Sequence, residues 1–190
     1  MAYRKLTNIK HKIEQATIKI GAKYGVHAVS ARVVAAECDI STHTIYNNFS
    51  SMDSLIEYVA TRFERRHMAD AAKLVEEGDY SVHELFDVFL DKFVKDKRET
   101  LYYLSYTNEN GFDPTLKNPR AAEFLQVARK LFKNEKLSDE MTLLLWDHAT
   151  SMLFYYAHKI IKKYIPNDEV TRAEIKKIFF EGINALIESK

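Results

Sequence analysis

Apolar residues recur along this chain at the three- and four-residue spacing of amphipathic helices, and no stretch shows the alternation of a strand. The first apolar stripe contains Ile9, Ile13, Ala16, Ile20 and Tyr24. Gly25 follows this stripe directly, and glycine readily adopts the backbone conformation that ends a helix. The pattern therefore predicts a first helix from about residue 8 to residue 24.

Residues 29–55 predict two short helices, a tight turn between them and the start of a longer helix. Ser30 and Ser41 are suited to cap the two short helices, because a serine hydroxyl accepts a hydrogen bond from a free amide of the first turn. Asp39 occupies the turn, where aspartate tolerates a left-handed backbone. The residues expected on the buried side of the first short helix are Val33, Val34 and Ala35.

The second short helix, predicted at residues 41–48, has an apolar side and a polar side. Ile45 and Phe49 fall together at about 100° per residue. The remaining side chains can form hydrogen bonds and carry no negative charge: Thr42, His43, Thr44, Tyr46, Asn47 and Asn48. Such a face after a connection of about three residues is typical of a helix-turn-helix and suits the major groove of DNA.

The rest of the pattern predicts an all-α protein with about nine helices. A long helix is expected from about Met52 into Val75, capped by Ser50 or Ser51. Further helices are expected after Ser81, around residues 100–107, over residues 120–132, from Ser138 to Tyr164, and after Asp168, with Pro114 and Pro119 bracketing a loop. Residues 141–158 contain one formal charge, Asp147, and we expect a buried helix there rather than a membrane span.

Charge and cysteine content narrow the classes of partner. The chain has a net charge of +1, but residues 1–50 hold seven basic and three acidic residues, a net of +4. The other 140 residues hold 21 basic and 24 acidic residues, a net of −3. This asymmetry favours an anionic partner for the first part. A single cysteine, Cys38, excludes an internal disulfide, and with an N-terminus unlike a signal peptide it favours the cytoplasm.

The first quarter of the chain resembles the N-terminal domain of TetR-family transcriptional regulators. The residues that carry the resemblance are Lys23-Tyr24-Gly25, Ser30, Arg32, Val34-Ala35, Ile40-Ser41, Thr44-Ile45-Tyr46, Phe49 and Leu55. Chain length and the order of nine helices extend the resemblance more loosely to the whole chain. Two positions depart from the family: Asp39 replaces the usual glycine of the turn, and Met52 replaces a lysine expected to contact phosphate.

The resemblance implies a DNA-binding domain at residues 1–50 and a larger ligand-binding and dimerisation domain at residues 51–190. It implies a homodimer, most often a repressor, that places residues 41–48 of each subunit in successive major grooves of a palindromic double-stranded operator. Phosphate or groove-wall contacts are then expected from Ser30, Arg32, Thr44 and Tyr46, and base contacts from His43 and Asn47, with Thr42 and Asn48 at the edges.

The larger domain of the family usually holds a small effector, and aromatic residues here favour an aromatic or lipophilic compound. The candidate contacts are Phe89, Phe93, Tyr102, Tyr106, Trp146, His148 and Tyr155. Packing of these aromatic residues in the core is the alternative for each one. The last two helices are apolar over more than one stripe, so we expect dimerisation through residues 138–164 and 168–188, with Ala149, Gly182 and Ala185 allowing close approach.

Two other functions remain open from the sequence. The chain could be a DNA-binding regulator controlled by a protein partner, without a small effector. A more remote alternative is a helical enzyme or metal protein that uses Asp147, His148 and His158. No HExxH or ExxH motif and no glycine-rich phosphate loop supports that alternative, so we expect no cofactor, no metal site and no catalytic residues.

Overall fold

A computed structural model describes residues 2–76, 82–110, 119–133 and 136–188. These residues form nine α-helices and one 3-10 turn, with no strand among them, which confirms the all-α prediction. The helices are α1 (Ala2–Tyr24), α2 (Ala31–Cys38), α3 (Thr42–Tyr46), α4 (Met52–Glu76), α5 (Val82–Lys95), α6 (Lys97–Asn110), α7 (Ala121–Phe132), α8 (Asp139–Ile161) and α9 (Glu169–Glu188), with the 3-10 turn at Val26–Ala28.

Several predicted helix starts are confirmed by their capping hydrogen bonds. The Ser138 hydroxyl accepts from the Met141 amide at 3.2 Å, and an Asp168 carboxylate oxygen accepts from the Thr171 amide at 2.8 Å. Each bond satisfies an amide that the helix itself leaves free. The predicted cap at Ser81 and the predicted loop residue Pro114 lie outside the described residues.

The chain divides into two compact units, Met1–Arg65 with Arg98–Gly111 and Arg66–Lys97 with Phe112–Lys190. The first unit therefore contains α1, α2, α3, the first half of α4 and nearly all of α6. Its core includes Ile13, Val34, Ile45, Leu55 and Tyr102, each at most 1% exposed. The predicted division into a DNA-binding domain at residues 1–50 and a ligand-binding and dimerisation domain at residues 51–190 is based on function. The division into compact units does not test it, so it stays a prediction.

The second unit is built on the packing of α5 and α7 against α8. One core cluster contains Met68, Ala71, Ala121, Phe124, Val127 and Leu143, with Phe89 and Trp146 packed against it. Helix α9 is tied to α5 by two ion pairs, Arg172 with Asp91 at 2.6 Å and Lys176 with Asp87. None of the described helices is both long enough and apolar enough to cross a membrane.

Two side chains expected on buried helix faces are exposed instead. Tyr24 is 57% exposed and Val33 43%. Helix α2 turns Val34, Ala35 and Cys38 inward, which leaves Val33 on its outer side. Helical spacing predicts that residues share a face, but not how wide a face the neighbouring helices cover.

Candidate nucleic-acid interface

Helix α3 is short, and it is fixed at its start and on its inner side. The Ser41 hydroxyl accepts from the Thr44 amide at 3.2 Å, which confirms the predicted cap. Ile45 is fully buried and Phe49 is 7% exposed, as predicted from the helical wheel. The Phe49 ring packs against the Tyr58 ring of α4, with 5.4 Å between centroids. These contacts let five residues hold a helical conformation that would be marginal in isolation.

A lysine of α1 adds a contact that the sequence did not reveal. The Lys10 ammonium lies 4.3 Å from the centroid of the Tyr58 ring and 5.1 Å from that of Phe49. A cation over an aromatic face is attracted by the ring quadrupole. Lys10 therefore helps to join α1 to the end of α3 and the start of α4. Only the general basic character of α1 hinted at this contact.

The turn before α3 explains why aspartate is tolerated where glycine is usual. Asp39 has φ 52° and ψ 52°, the left-handed conformation. The Ile40 amide donates to the Ala35 carbonyl at 3.0 Å and the Asp39 amide to the Ala36 carbonyl at 3.3 Å. This is the Schellman pattern of a helix end, which satisfies the last carbonyls of α2. Aspartate is one of the few residues other than glycine that visit this region routinely.

The outward side of α3 and its flanking residues is polar and accessible. Thr42, His43, Tyr46 and Asn47 are exposed, and Tyr46 is 52% exposed. Asn47 is not within the helix but caps its C-terminus, so α3 is shorter than the predicted range. The two other predicted contact residues, Thr44 and Asn48, are half-buried.

Thr44 and Asn48 are also engaged within the protein. The Asn48 side-chain amide donates to the Thr44 carbonyl at 2.8 Å, and the Thr44 and Ser41 hydroxyls are 3.0 Å apart. Both side chains therefore stabilise the ends of α3 in the unbound protein. His43 and Asn47, the two residues predicted to contact bases, are among the four side chains of this surface that stay exposed.

The start of α2 supplies the remaining predicted contacts. Ser30 and Arg32 are both exposed. The Ser30 hydroxyl accepts from the Val33 amide at 3.4 Å, which confirms Ser30 as the cap. Arg32 lies in the first turn, where amides are free and a bound anion is stabilised. Ser30 and Arg32 therefore present a donor, a cation and free amides at one end of α2.

The start of α4 is fixed by a reciprocal pair of serines. The Ser51 hydroxyl accepts from the Ser54 amide at 3.0 Å, while the Ser54 hydroxyl accepts from the Ser51 amide at 3.0 Å. This is the geometry of a capping box with serine in the place of glutamate or glutamine. It identifies Ser51 as the cap that the sequence left undecided between two serines. Met52, the departure from the expected lysine, is half-buried beside it.

An ion pair between a buried carboxylate of α1 and an exposed arginine of α4 joins these two helices. The Glu14 carboxylate, only 7% exposed, accepts from the Arg62 guanidinium at 2.7 Å. His11 lies 3.7 Å from the same carboxylate. A buried carboxylate without such partners would be costly, so Arg62 is required wherever Glu14 is buried. Local sequence patterns do not reveal this pair, because its members are 48 residues apart.

The predicted effector contacts fall in both compact units. Tyr102 and Tyr106 belong to the first unit, where burial raises the pKa of both hydroxyls. In the second unit, Phe93 is buried and stacks on Phe154 with 4.4 Å between centroids. Phe89 and Trp146 are half-buried, whereas His148 and Tyr155 are exposed.

Asp147, His148 and His158, the residues of the enzyme or metal alternative, all lie on α8. Burial raises the pKa of Asp147, and a hydrogen bond from Ser151 opposes that shift. Burial and the positive charges of Lys162 and Lys159 lower the pKa of His158. Within the described part of the chain, no three His, Cys, Asp or Glu side chains are grouped closely enough to hold a metal ion.

The surface built on α2 and α3 is a helix-turn-helix of the kind that binds DNA. Residues 13–59 match the family model described as bacterial regulatory proteins of the tetR family. A search of curated proteins by sequence gives no significant match.

Solved structures extend the likeness to the fold of the whole chain. A TetR family transcription regulator from Marinobacter aquaeolei VT8 has a TM-score of 0.74 at 10% identity, covering 95% of this chain and 97% of its own. A TetR-like transcriptional regulator from Rhodococcus sp. RHA1 has a TM-score of 0.66 at 16% identity, covering 93% and 96%. A TetR-family transcriptional regulator from Haemophilus influenzae RD has a TM-score of 0.62 at 19% identity, covering 91% and 95%.

Residues 13–59 thus match the tetR family model, and the solved structures share their fold with this chain over 91–95% of its length.

Proposed function

We propose that this protein is a homodimeric repressor that binds a palindromic operator and is released from it by a small aromatic or lipophilic effector. The observation that carries the proposal is the exposed polar side of α3, held on Ile45 and Phe49 within the segment that matches the TetR family. Each subunit places this side in one of two successive major grooves. As a regulator of transcription, the protein works in the cytoplasm.

We assign the DNA contacts in two groups. Ser30, Arg32, Thr44 and Tyr46 contact phosphates or the groove wall and fix the register of the protein on the duplex. Base edges are contacted by His43 and Asn47, with Thr42 and Asn48 at the edges of the footprint. The accessibility of His43 and Asn47 supports their assignment to bases, and the half-burial of Thr44 supports its assignment to the backbone.

Exposed apolar side chains on the last two helices support the homodimer. On α8, Met141 is 37% exposed, Leu144 47% and Tyr155 51%, and they recur at helical spacing. On α9, Val170 and Ile178 are also exposed. Side chains of this kind cost free energy in water, roughly 25 cal/mol for each Å² of apolar surface. A second copy that packs α8 and α9 against their counterparts removes that surface from water.

The effector site is proposed in the second unit, beside Phe89, Phe93 and Trp146. Phe89 and Trp146 are half-buried and pack against the core cluster, so each keeps part of its apolar surface available. His148 and Tyr155 are further proposed contacts in this unit. Tyr102 and Tyr106 lie in the first unit, so they stay predictions from the sequence and are not part of the proposed site.

Salt-dependent binding tests the DNA-binding part of the proposal. Duplexes selected by the protein from a random pool should share a palindrome, and the logarithm of affinity should fall linearly with the logarithm of salt concentration. Arg32→Ala should reduce the magnitude of that slope by about 1. Lys95→Ala, an exposed lysine on α5, is the matched control and should leave the slope unchanged. Selection of no duplex at low salt would overturn the proposal.

A further inference from the structure

Helix α1 and the first half of α4 are joined by two side-chain contacts that share one spacing. The Glu14 carboxylate of α1 accepts from the Arg62 guanidinium of α4 at 2.7 Å, and the Lys10 ammonium of α1 lies 4.3 Å from the centroid of the Tyr58 ring of α4. Lys10 precedes Glu14 by four residues, and Tyr58 precedes Arg62 by four. Residues four apart lie on one face of a helix. The two contacts therefore lie one helical turn apart along the same pair of faces.

The contact made by Lys10 also includes the residue at which the chain leaves α3. The Lys10 ammonium lies 5.1 Å from the centroid of the Phe49 ring, and the centroids of the Phe49 and Tyr58 rings are 5.4 Å apart. Both distances from the ammonium are within the roughly 6 Å over which a ring face attracts a cation. One lysine thus connects α1 with both α4 and the end of the α3 segment.

Phe49 is in turn fixed to the last turn of α3 by backbone hydrogen bonds. The amides of Asn48 and Phe49 both donate to the Ile45 carbonyl at 2.9 Å, and the Asn47 amide donates to the His43 carbonyl at 3.0 Å. These bonds restrict the movement of Asn47 relative to Phe49, which lies only two residues further along the chain. A displacement of the Phe49 ring therefore also displaces Asn47.

Aromatic rings, and not an acidic side chain, hold the Lys10 ammonium. Within the residues that the structure describes, Lys10 forms no ion pair with a carboxylate, whereas Lys19 of the same helix is paired with Glu37 of α2 at 2.5 Å. Lys10 is half-buried. Loss of water strengthens the attraction between an ammonium and a ring face. The contact is therefore expected to hold Phe49 more firmly than the same contact would on an open surface.

We propose that Lys10 is a positioning residue for sequence recognition: its contact with the Phe49 and Tyr58 rings fixes the end of α3 that presents Asn47 to DNA. This role rests on the proposed DNA-binding function and requires no contact between Lys10 and the duplex. Fixing the turn before binding lowers the free-energy cost of ordering it on the DNA. The benefit is largest for a duplex whose base edges meet Asn47, because phosphate contacts carry no sequence information.

Amide hydrogen exchange tests the positioning contact without DNA. In the full-length protein, Lys10→Met removes the charge and keeps an unbranched side chain, so the protection factor of the Phe49 amide should fall about three- to tenfold. The Val34 amide of α2, which donates to the Ser30 carbonyl at 2.9 Å, should keep its protection. Lys10→Arg should restore the wild-type protection of Phe49, since a guanidinium also binds a ring face.

Lys23→Met is the matched control for the exchange experiment. Lys23 is also a lysine of α1 whose ammonium lies over a tyrosine ring, at 4.7 Å from the Tyr24 centroid. Tyr24 is its neighbour in the chain, so this contact joins α1 to no other helix. Lys23→Met should therefore leave the protection of the Phe49 amide unchanged.

Removal of the Tyr58 ring shows whether Lys10 acts through it. In a Tyr58→Leu background, Lys10→Met should lower the protection of the Phe49 amide by a smaller factor than in the wild type, because the two side chains share one interaction. An equal factor in both backgrounds would overturn the proposal. So would equal losses at Phe49 and Val34, since Lys10 would then support general stability. These outcomes hold whether or not the protein binds DNA.

Discrimination between duplexes supplies the second readout. Lys10→Met should weaken binding to the duplex selected from the random pool about three- to tenfold and binding to a scrambled duplex by no more than about twofold, with the salt slope unchanged. Lys10→Arg should restore the discrimination. If both duplexes weaken by the same factor and the magnitude of the slope falls by about 1, Lys10 contacts a phosphate and the positioning role is rejected. If no duplex is selected, the proposed function fails and the role in recognition fails with it, even where the exchange results hold.

Discussion

At the scale of single residues, substitution of Asn47 tests whether its side chain contacts a base or the phosphate backbone of DNA. It is exposed and follows the last turn of α3. If its amide binds a base edge, Asn47→Ala should cost about 1–3 kcal/mol of binding free energy and relax the sequence preference at one operator position. Measuring affinities for a set of single-base operator variants checks this. Weakening by the same factor on every duplex would assign Asn47 to the phosphate backbone instead.

Features that depend on neighbouring positions in the chain are predicted well from the sequence. Caps at Ser30, Ser41 and Ser138 were predicted because a capping serine bonds an amide two or three residues away. The burial of Ile45 and Phe49 was also predicted from local sequence, since helical spacing alone places them on one side of α3. The ion pair of Arg62 with the buried Glu14 carboxylate was not predicted, because nothing local to either residue indicates a partner 48 positions away.

His67, which the sequence did not single out, should make stability depend on pH. It is 7% exposed and packs edge-on against Phe93, with 5.0 Å between ring centroids. Burial, with the charges of Arg66 and Lys92, lowers its pKa to about 3. Below about pH 6.5 the unfolded chain binds a proton at this position that the folded chain does not bind. Folding is therefore destabilised as the pH falls from about 6.5 toward 3.

The measurement compares the wild type with His67→Leu, a side chain of similar size that cannot titrate. Free energies of unfolding from urea titrations at pH 7, 6, 5 and 4.5 should diverge from those of the variant by up to about 1.4 kcal/mol per pH unit. The comparison between the two proteins removes the contributions of the other histidines. Parallel pH profiles for the two proteins would show that His67 is protonated in the folded state.

At the scale of elements, the packing of Tyr102 on Gly21 predicts that replacing this helical glycine by alanine lowers the free energy of unfolding. Gly→Ala inside a helix normally stabilises it by about 0.5–1 kcal/mol. At Gly21 the added Cβ would lie 2.4 Å from the Tyr102 ring, so Gly21→Ala should instead destabilise the protein by about 1–3 kcal/mol. Urea denaturation followed by circular dichroism measures the difference.

A double-mutant cycle with Tyr102→Leu provides the control for this clash. Removing the ring is itself destabilising, but it clears the space above Gly21. In the Tyr102→Leu background, Gly21→Ala should therefore become neutral or stabilising, with a coupling energy above about 1 kcal/mol. An unchanged cost of Gly21→Ala in both backgrounds would mean that the ring and Gly21 do not interact.

Contacts between different helices, such as those of α6 with α1 and α4, could not be predicted from the sequence. Tyr102 was assigned from its aromatic character to a possible effector site, and that assignment remains untested. Its contacts with Gly21 and the Ile56 carbonyl depend on how α6 meets α1 and α4, which periodicity within one helix does not specify. Val33 illustrates the same limit, because its exposure depends on which part of α2 the neighbouring helices cover.

At the scale of the whole molecule, the proposed function requires two subunits, and Leu144 tests this requirement. Leu144 on α8 is 47% exposed within one subunit. A two-fold axis introduces each substitution twice, so Leu144→Glu should weaken the dimer by about 3 kcal/mol or more, roughly a hundredfold in the dissociation constant. Sedimentation velocity over a dilution series measures that constant. Val88→Glu on α5, where Val88 is 38% exposed, is the matched control and should leave the dimer intact.

Gly182 on α9 adds an independent measure of the same interface. No heavy atom of the described residues lies within 4 Å of a Cβ placed there, apart from its chain neighbours and the backbone of its own helix. In an isolated subunit, Gly182→Ala should therefore stabilise α9 by about 0.5–1 kcal/mol. In a dimer whose helices approach closely at this point, the added methyl instead meets the partner and weakens association. A wild type that sediments as a monomer at micromolar concentration, together with a stabilising Gly182→Ala, would exclude the homodimer, because the exposed side of α9 would then face water alone.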